Sequence, residues 1–229
     1  MRVDTFSCQP EQALPLAVTP IIDYDSVVDI KIAVFASGRG SNFKAILEKI
    51  ESGAIRNARV AVVLSNNSKS GALQLAIDHG IETMHISSVT HPDPTEYEQR
   101  MLDILGERRI GLILLAGYMK LLPPLVVRRF HHRILNIHPA LLPRHGGEGM
   151  YGLSVHKAVI ESGDRETGVT IHYVNERYDE GAIIRQQKVP VLSGDTPENL
   201  AARVLEVEHD LYWRVVDSVV QSLTRREGI

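Results

Sequence analysis

Residues 31–53 read KIAVFASGRGSNFKAILEKIESG, in which a short apolar run leads through a turn with two glycines into a segment of helical period. The apolar run, residues 31–36, predicts a buried strand. After the turn, one helical face carries four apolar side chains: Phe43, Ile46, Leu47 and Ile50. The stretch therefore predicts a strand, a glycine loop and a helix, the unit from which α/β folds are built.

The same alternation of strand and helix continues along the chain. Further strands are predicted at residues 59–64, 81–86, 110–116 and 133–136, with helices at residues 70–79 and 94–108. Strands that are apolar on both faces and separated by helices are typical of a parallel sheet covered on both sides. The sequence thus predicts an α/β fold with an open, mostly parallel twisted sheet of the Rossmann-like type and helices on both faces.

The C-terminal part of the chain has a different pattern. A helix is predicted at residues 154–162, followed by two alternating runs, residues 168–174 and 182–189, that fit neighbouring strands. Thr196 as N-cap and Pro197 at the first helical position begin a long C-terminal helix.

The composition limits the number of domains and the classes of partner. The 229 residues, of which 44% are hydrophobic, are enough to bury one large core. Residues 1–29 show no lasting period and are expected to be an N-terminal extension, whereas residues 30–229 are expected to form a single domain. A net charge of −3 without any block of Lys or Arg argues against a nucleic-acid partner.

The chain's compartment is inferred from its cysteine and its apolar segments. Cys8 is the only cysteine, so no disulfide forms within the chain, and a reducing compartment fits. No apolar run approaches the roughly 20 residues of a membrane span, and the first residues lack the features of a secretory signal. We therefore expect a cytoplasmic protein without a membrane partner.

The glycine loop is the first chemical signal. Residues 38–42 lie between a predicted strand and helix, where free N–H groups and the helix dipole suit a phosphate. Phe43 replaces the third glycine of the dinucleotide motif, and residues 65–67 offer no acidic side chain for a ribose. The pattern favours a mononucleotide-like phosphate site, while a tight turn without a ligand is the alternative.

A second signal is the stretch NIHP, residues 136–139. Asn136 and His138 fall where the fifth predicted strand ends, and ligands of open α/β sheets bind beyond such ends. A histidine there is nevertheless more often packed or solvated than catalytic. Asp179, in a polar connection between two predicted strands, fits either a hairpin tip or a carboxylate aimed into a cleft.

Four segments together resemble a known family: SGRGSN, LAGYMKLLP, NIHPALLP and GVTIHYVNERYDEGAII. In this order and spacing, over about residues 31–220, they are similar to the phosphoribosylglycinamide formyltransferases, also called glycinamide ribonucleotide transformylases, which have the formyltransferase fold. The resemblance implies transfer of a formyl group from 10-formyltetrahydrofolate to the amine of glycinamide ribonucleotide in de novo purine biosynthesis. It implies direct amine attack through a tetrahedral oxyanion, with two small-molecule substrates and without a metal.

The resemblance also implies roles for particular residues. The catalytic set would be Asn136, His138 and Asp179, with Asn136 and a protonated His138 as oxyanion donors. The substrate phosphate would bind to Gly40, Ser41 and Asn42, and the amine or ribose to Glu208; from the pattern alone, Glu208 is a solvated helix charge. The folate pocket would be formed by Met119, Lys120, Leu121, Leu122, Glu180 and Gly181.

Several alternatives remain at this stage. His172 fits equally well as support for the catalytic set or as a core residue, and the other histidines lack metal-site spacing. A formyltetrahydrofolate deformylase would carry a larger N-terminal domain than residues 1–29 allow, and a methionyl-tRNA formyltransferase would add a C-terminal RNA-binding domain. A non-catalytic nucleotide-binding module leaves the three polar residues unexplained. We expect a monomer or a homodimer.

Overall fold

The computed structural model describes residues 29–227. Within that range the strands are β1 (Ile30–Phe35), β2 (Ala58–Ser65), β3 (Glu82–His85), β4 (Leu112–Leu115), β5 (Ile134–His138), β6 (Glu166–Tyr173) and β7 (Ile183–Pro190). The helices are α1 (Ser41–Glu51), α2 (Gly71–Asp78), α3 (Pro94–Glu107), α4 (Pro124–Arg129), α5 (Leu153–Glu161) and α6 (Pro197–Glu227). The N-terminal extension predicted for residues 1–29 lies, except for Asp29, outside the described residues.

All seven strands belong to one sheet with the order β3-β2-β1-β4-β5-β6-β7. The pairs from β3 across to β5 are parallel, whereas β6 runs antiparallel to both β5 and β7. The chain reverses its direction of winding between β1 and β4, which is the position where open α/β sheets bind ligands. The mostly parallel sheet and the pairing of the two alternating runs confirm the predictions.

Helices cover both faces of the sheet, as predicted. In β1, Ile32 and Val34 pack into one core and Ala33 and Phe35 into the other, because successive side chains of a strand point to opposite faces. The first core is covered by α1, α2, α5 and α6, and the second by α3 and α4. Burying one large apolar side chain in such a core contributes about 1.5–3 kcal/mol.

Tyr212 fastens the long helix α6 to the centre of the sheet. Its side chain is fully buried, and its hydroxyl lies 3.1 Å from the carbonyl oxygens of both Leu115 and Leu135. The hydroxyl hydrogen therefore reaches one residue in β4 and one in β5. This contact holds α6 against β4 and β5, the second of which carries Asn136 and His138 near its carboxyl end.

Two details of the fold differ from the predictions. Helix α4 was not predicted, because six residues are too few to display a helical period. Strand β5 continues to His138 instead of ending at Asn136, so that both side chains are held by the sheet. Among the described residues, no helix has the length and apolar character needed to cross a membrane.

Candidate active site

A cavity of about 820 Å³ opens at the carboxyl ends of β4 and β5, between the start of α1 and one side of α6. Most residues that the sequence nominated line it: Ser41, Asn42, Met119, Lys120, Leu121, Leu122, Asn136, His138, Asp179 and Glu208. Three nominated residues do not line the cavity: Gly40, Glu180 and Gly181. In the sequence, Gly40 and Glu180 are each next to a lining residue, and Gly181 follows Glu180. The structure therefore brings together residues from five separate segments.

Asn136 is the centre of a hydrogen-bonded cluster formed by β5 and β6. It lies directly opposite His172 in the antiparallel pair, and its Nδ2 is 3.1 Å from Nε2 of His172. Nδ1 of His172 lies 2.9 Å from the carbonyl oxygen of Tyr173, to which it donates, so Nε2 is free to accept from Asn136. The second hydrogen of Nδ2 is donated to Oδ1 of Asp179 at 3.3 Å.

Asp179 reaches the same cluster from the loop between β6 and β7. Its φ of 55° lies in the left-handed region, which aspartate tolerates better than most residues. Its Oδ2 accepts a hydrogen bond from the backbone N–H of Gly147 at 3.0 Å and lies 3.4 Å from Nδ1 of His138. The loop passes so close to β6 that a Cβ on Gly181 would lie 1.6 Å from the carbonyl oxygen of Tyr173.

His138 is almost completely buried, and each ring nitrogen faces an acceptor. Nε2 is 2.8 Å from the carbonyl oxygen of His145, to which it donates, so Nδ1 is the nitrogen that faces Asp179. Burial is the largest influence on the pKa of His138 and lowers it, against the opposing effects of Asp179 and the His145 carbonyl. The lowered pKa favours the neutral ring before substrates bind, and the protonated oxyanion donor that the resemblance implies for the reacting complex stays a prediction.

Asp179 remains ionised beside this neutral histidine. Burial raises the pKa of the Asp179 carboxyl, but the neighbouring His172, His138 and Gly147 N–H together bring that pKa below its usual value. A carboxylate and a neutral imidazole in contact form a pair that can accept and pass on a proton.

The glycine loop forms the opposite end of the cavity. Gly40 precedes α1 with a φ of 82°, and a Cβ there would lie 2.8 Å from the Cβ of Ala72. No side chain caps α1, and its first turn contains no acidic residue. The first N–H groups of a helix lack partners within the helix, so this end can bind an anion through its backbone.

Glu208 lies beside this loop and is buried, not solvated. It accepts a hydrogen bond from Nδ2 of Asn42, which joins α6 to the first turn of α1. Burial raises the pKa of the Glu208 carboxyl despite that hydrogen bond. Oδ1 of Asn42 is also buried and has no partner among the described residues, and both residues belong to the cavity lining.

The predicted folate wall divides into exposed and buried members. Met119 and Leu121 are 40% and 39% exposed and line the cavity, whereas Leu122 is only 2% exposed and also packs into the core. The backbone N–H of Met119 is fixed by the hydroxyl of Ser37 at 2.9 Å. Glu180 forms a salt bridge at 2.8 Å with Arg177, which itself lines the cavity.

Sequence reasoning left the role of His172 open and did not nominate His156 or Gly147. The structure places His172 within the hydrogen-bonded cluster around Asn136 and His156, which is buried, in the cavity lining; burial lowers the pKa of His156 to about 4. The alternation of side chains in TIHYV, residues 170–174, places Thr170 and His172 on the same face of the strand. This was the signal in the sequence that could have indicated the role of His172. Among residues 29–227, no group of three or more potential ligands is arranged to hold a metal ion.

Comparisons with known proteins agree with this geometry. A family model described as "Formyl transferase" matches residues 30–216. A phosphoribosylglycinamide formyltransferase, chloroplastic, of Arabidopsis thaliana is 45% identical over 202 residues, covering 87% of this chain and 69% of that protein. The phosphoribosylglycinamide formyltransferase of Haemophilus influenzae is 39% identical over 186 residues, covering 81% of this chain and 85% of that protein.

A solved structure has the same architecture. The crystal structure of glycinamide ribonucleotide transformylase 1 from Symbiobacterium toebii superposes with a TM-score of 0.79 at 36% identity. The superposition covers 85% of this chain and 89% of that one. With the family model matching most of its length and the polar cluster lying at the expected end of the sheet, this chain belongs to the formyl transferase family.

Proposed function

We propose that the chain transfers the formyl group of 10-formyltetrahydrofolate to the amine of glycinamide ribonucleotide, a step of de novo purine biosynthesis. The observation that carries the proposal is the meeting of Asn136, His138 and Asp179 at one end of a cavity whose other end is a helix N-terminus. The names of its relatives support the acceptor and the transferred formyl group.

In the proposed complex, the ribonucleotide phosphate binds to the backbone of Gly40, Ser41 and Asn42. Positive charge at the start of α1 and the absence of acidic side chains from its first turn favour an anion there. Glu208, held by Asn42, receives the ribose or the amine end of the same substrate.

The folate is proposed to lie against the wall formed by Met119, Lys120, Leu121 and Leu122. Met119 and Leu121 offer apolar surface that is still partly accessible to solvent, which a bound ring system would cover. Glu180 and Gly181 contribute through the loop that carries Asp179. The formyl carbon would then lie between the two ends of the cavity, close to the polar cluster.

The reaction is proposed to begin with attack of the substrate amine on the formyl carbon. The new C–N bond places negative charge on the formyl oxygen, and donors aimed at that oxygen stabilise the transition state more than the ground state. Both hydrogens of Asn136 Nδ2 already face acceptors, so its 3.3 Å bond to Asp179 is the one that must yield to the oxyanion.

His138 and Asp179 are proposed to move the proton. The attacking amine must lose a proton, and the folate nitrogen must gain one when its bond to the formyl carbon breaks. Nδ1 of His138 faces Asp179 and carries no hydrogen in the neutral ring, so it can accept the amine proton while Asp179 stabilises the resulting imidazolium. The imidazolium then gives this proton to the folate nitrogen as the oxyanion collapses and the bond between that nitrogen and the formyl carbon breaks. The step requires neither a covalent enzyme intermediate nor a metal.

The decisive experiment is an assay of purified protein with 10-formyltetrahydrofolate, with and without glycinamide ribonucleotide. We expect consumption of the folate and formation of formylated ribonucleotide only when both substrates are present. Equal folate consumption in water alone would identify a hydrolase of the deformylase type. Formyl transfer to a different amine, such as a sugar amine, would support the proposed reaction type but contradict the proposed acceptor.

The remaining expectations are proposals of the same kind. Residues 30–229 are proposed to form one catalytic domain without nucleic-acid or membrane partners, as a monomer or a homodimer. Cytoplasmic location is supported by the single cysteine, although the name of the plant relative specifies the chloroplast. Sedimentation analysis tests the oligomeric state, and cell fractionation tests the location.

A further inference from the structure

A second group of polar side chains, formed by Asp164, His145 and Arg144, adjoins the cluster that contains His138. Asp164, in the connection between α5 and β6, receives a hydrogen bond from Nε2 of His145 at 2.7 Å and forms a salt bridge with Arg144. The side chains of Asp164 and His145 are 12% and 15% exposed, whereas that of Arg144 is 63% exposed. The contact between Asp164 and His145 is therefore the shielded part of this group.

His145 connects this group to the catalytic cluster through its main chain. The carbonyl oxygen of His145 is the acceptor for Nε2 of His138 at 2.8 Å. Two residues further along, the N–H of Gly147 donates to Asp179 at 3.0 Å. The short segment 145–147 thus contacts both catalytic side chains with backbone atoms, and Asp164 holds the first residue of that segment by its side chain.

The backbone conformation of His145 requires such support. Its φ is 54°, in the left-handed region, which is strained for a residue with a Cβ. Strained backbone conformations persist where contacts with the surrounding structure hold them in place, and they are common at functional sites. The contact of the His145 ring with Asp164, neither of which lines the cavity, supplies such support.

We propose that Asp164 is a positioning residue, which through His145 sets the ring orientation and hydrogen placement of His138. The inference rests on the catalytic role proposed above for His138. A carbonyl fixed opposite Nε2 keeps the hydrogen on that nitrogen and leaves Nδ1 to face Asp179 and the substrate. Without Asp164, the His145 carbonyl moves and the two tautomers of His138 become mixed.

The test compares Asp164→Ala with Asp164→Asn, which keeps an acceptor oxygen of the same shape. We expect Asp164→Ala to lower kcat about 10- to 100-fold, the effect typical for loss of an outer hydrogen-bond partner of a functional histidine, and Asp164→Asn to restore most of it. The KM values should change less than about threefold, because Asp164 does not line the cavity. Arg144→Ala, which removes only the exposed partner, should retain kcat within about twofold.

Nitrogen NMR of the histidine rings in the ligand-free protein provides the readout that a merely structural role would not move. We expect His138 to carry its hydrogen on Nε2 in the parent and in Asp164→Asn, and to show mixed tautomers in Asp164→Ala. Parent-like ring signals of His138 in a folded Asp164→Ala protein would overturn the proposal, whether or not kcat had fallen. Because these signals need no substrate, a parent without formyl transfer would refute the proposed function and leave this test intact.

If Asp164→Ala does not fold, substitutions of His145 carry the test. Gln places an amide nitrogen near the position of the ring Nε2 and can still donate to Asp164, whereas Ala cannot. We expect His145→Ala to lower kcat and His145→Gln to recover most of it. Equal loss in both variants, or no loss in either, would overturn the proposal.

Discussion

The two ends of the cavity are built by different means. The glycine-loop end is formed by consecutive residues and presents backbone N–H groups at the start of α1. The other end is formed by side chains that are distant in the sequence. Asn136 forms hydrogen bonds with His172 and Asp179, which follow it by 36 and 43 residues. The first end depends on local backbone geometry, whereas the second depends on correct assembly of the sheet, and substitutions should affect them differently.

Removing a catalytic side chain should have the largest effect at the assembled end. We expect His138→Ala to lower kcat by about 10² to 10³, since loss of one transition-state partner typically has this effect. Steady-state kinetics and thermal unfolding would show loss of turnover with the fold retained. His79→Ala, which removes an exposed histidine paired with Glu51, is the matched control and should keep full activity. Undiminished turnover in His138→Ala would remove this histidine from the mechanism.

Adding a single methyl group should have the largest effect at the backbone end. Gly40→Ala combines left-handed strain with a Cβ 2.8 Å from the Cβ of Ala72, whereas Gly53→Ala, at a φ of 74°, meets no atom within 4 Å. We expect Gly40→Ala to lose about 1–3 kcal/mol more unfolding free energy than Gly53→Ala, because only Gly40 is overpacked. Urea denaturation measures the difference. Equal losses of unfolding free energy in the two variants would contradict close packing of Gly40 against Ala72.

The folate wall, which adjoins both ends, should respond more weakly. Leu121→Ala should raise the KM for the folate about three- to tenfold, because roughly 1 kcal/mol of apolar contact with the ligand is lost. Leu125→Ala is the control, since Leu125 is similarly exposed at 46% but does not line the cavity. Equal KM values for the two variants would place the folate elsewhere.

The smallest expected effect is a pH-dependent change in stability at Glu208. Because burial raises the folded-state pKa of this carboxyl above its unfolded value of 4.5, the folded state prefers the protonated form. Its contribution to stability is fully present below pH 4.5 and is lost as the pH rises through the folded pKa. Glu208→Gln should therefore be more stable than the parent at pH 8, with the difference shrinking toward pH 4.5. A difference independent of pH would contradict the raised pKa.

The sequence predicted most of the fold because its signals are local. The strand-loop-helix stretch from residue 31 and the N-cap signal at Thr196 each act within a few residues, and both appear in the structure where they were expected. Helix α4 was missed since it is a single short segment that begins at a proline. Its position depends on packing against the second core, which a local pattern does not display.

The candidate site was only partly predictable for the same reason. Leu121 is exposed to the cavity whereas Leu122 is buried, although both are leucines. The difference follows from the path of the chain after β4, not from residue type. Glu208 looked like a solvated charge because nothing in α6 reveals that Asn42 meets it. Asp179 and His172 acquire their roles only when β6 pairs with β5, which is a long-range event.

That pairing has a consequence for the kinds of mutation the gene can tolerate. Asn136 stands opposite His172, and neighbouring positions of a strand face opposite sides of the sheet. A substitution at another position of β6 leaves this correspondence unchanged. Deletion of a single codon between the start of β6 and His172 would turn the imidazole to the far side of the sheet, although every residue of the polar cluster would still be encoded.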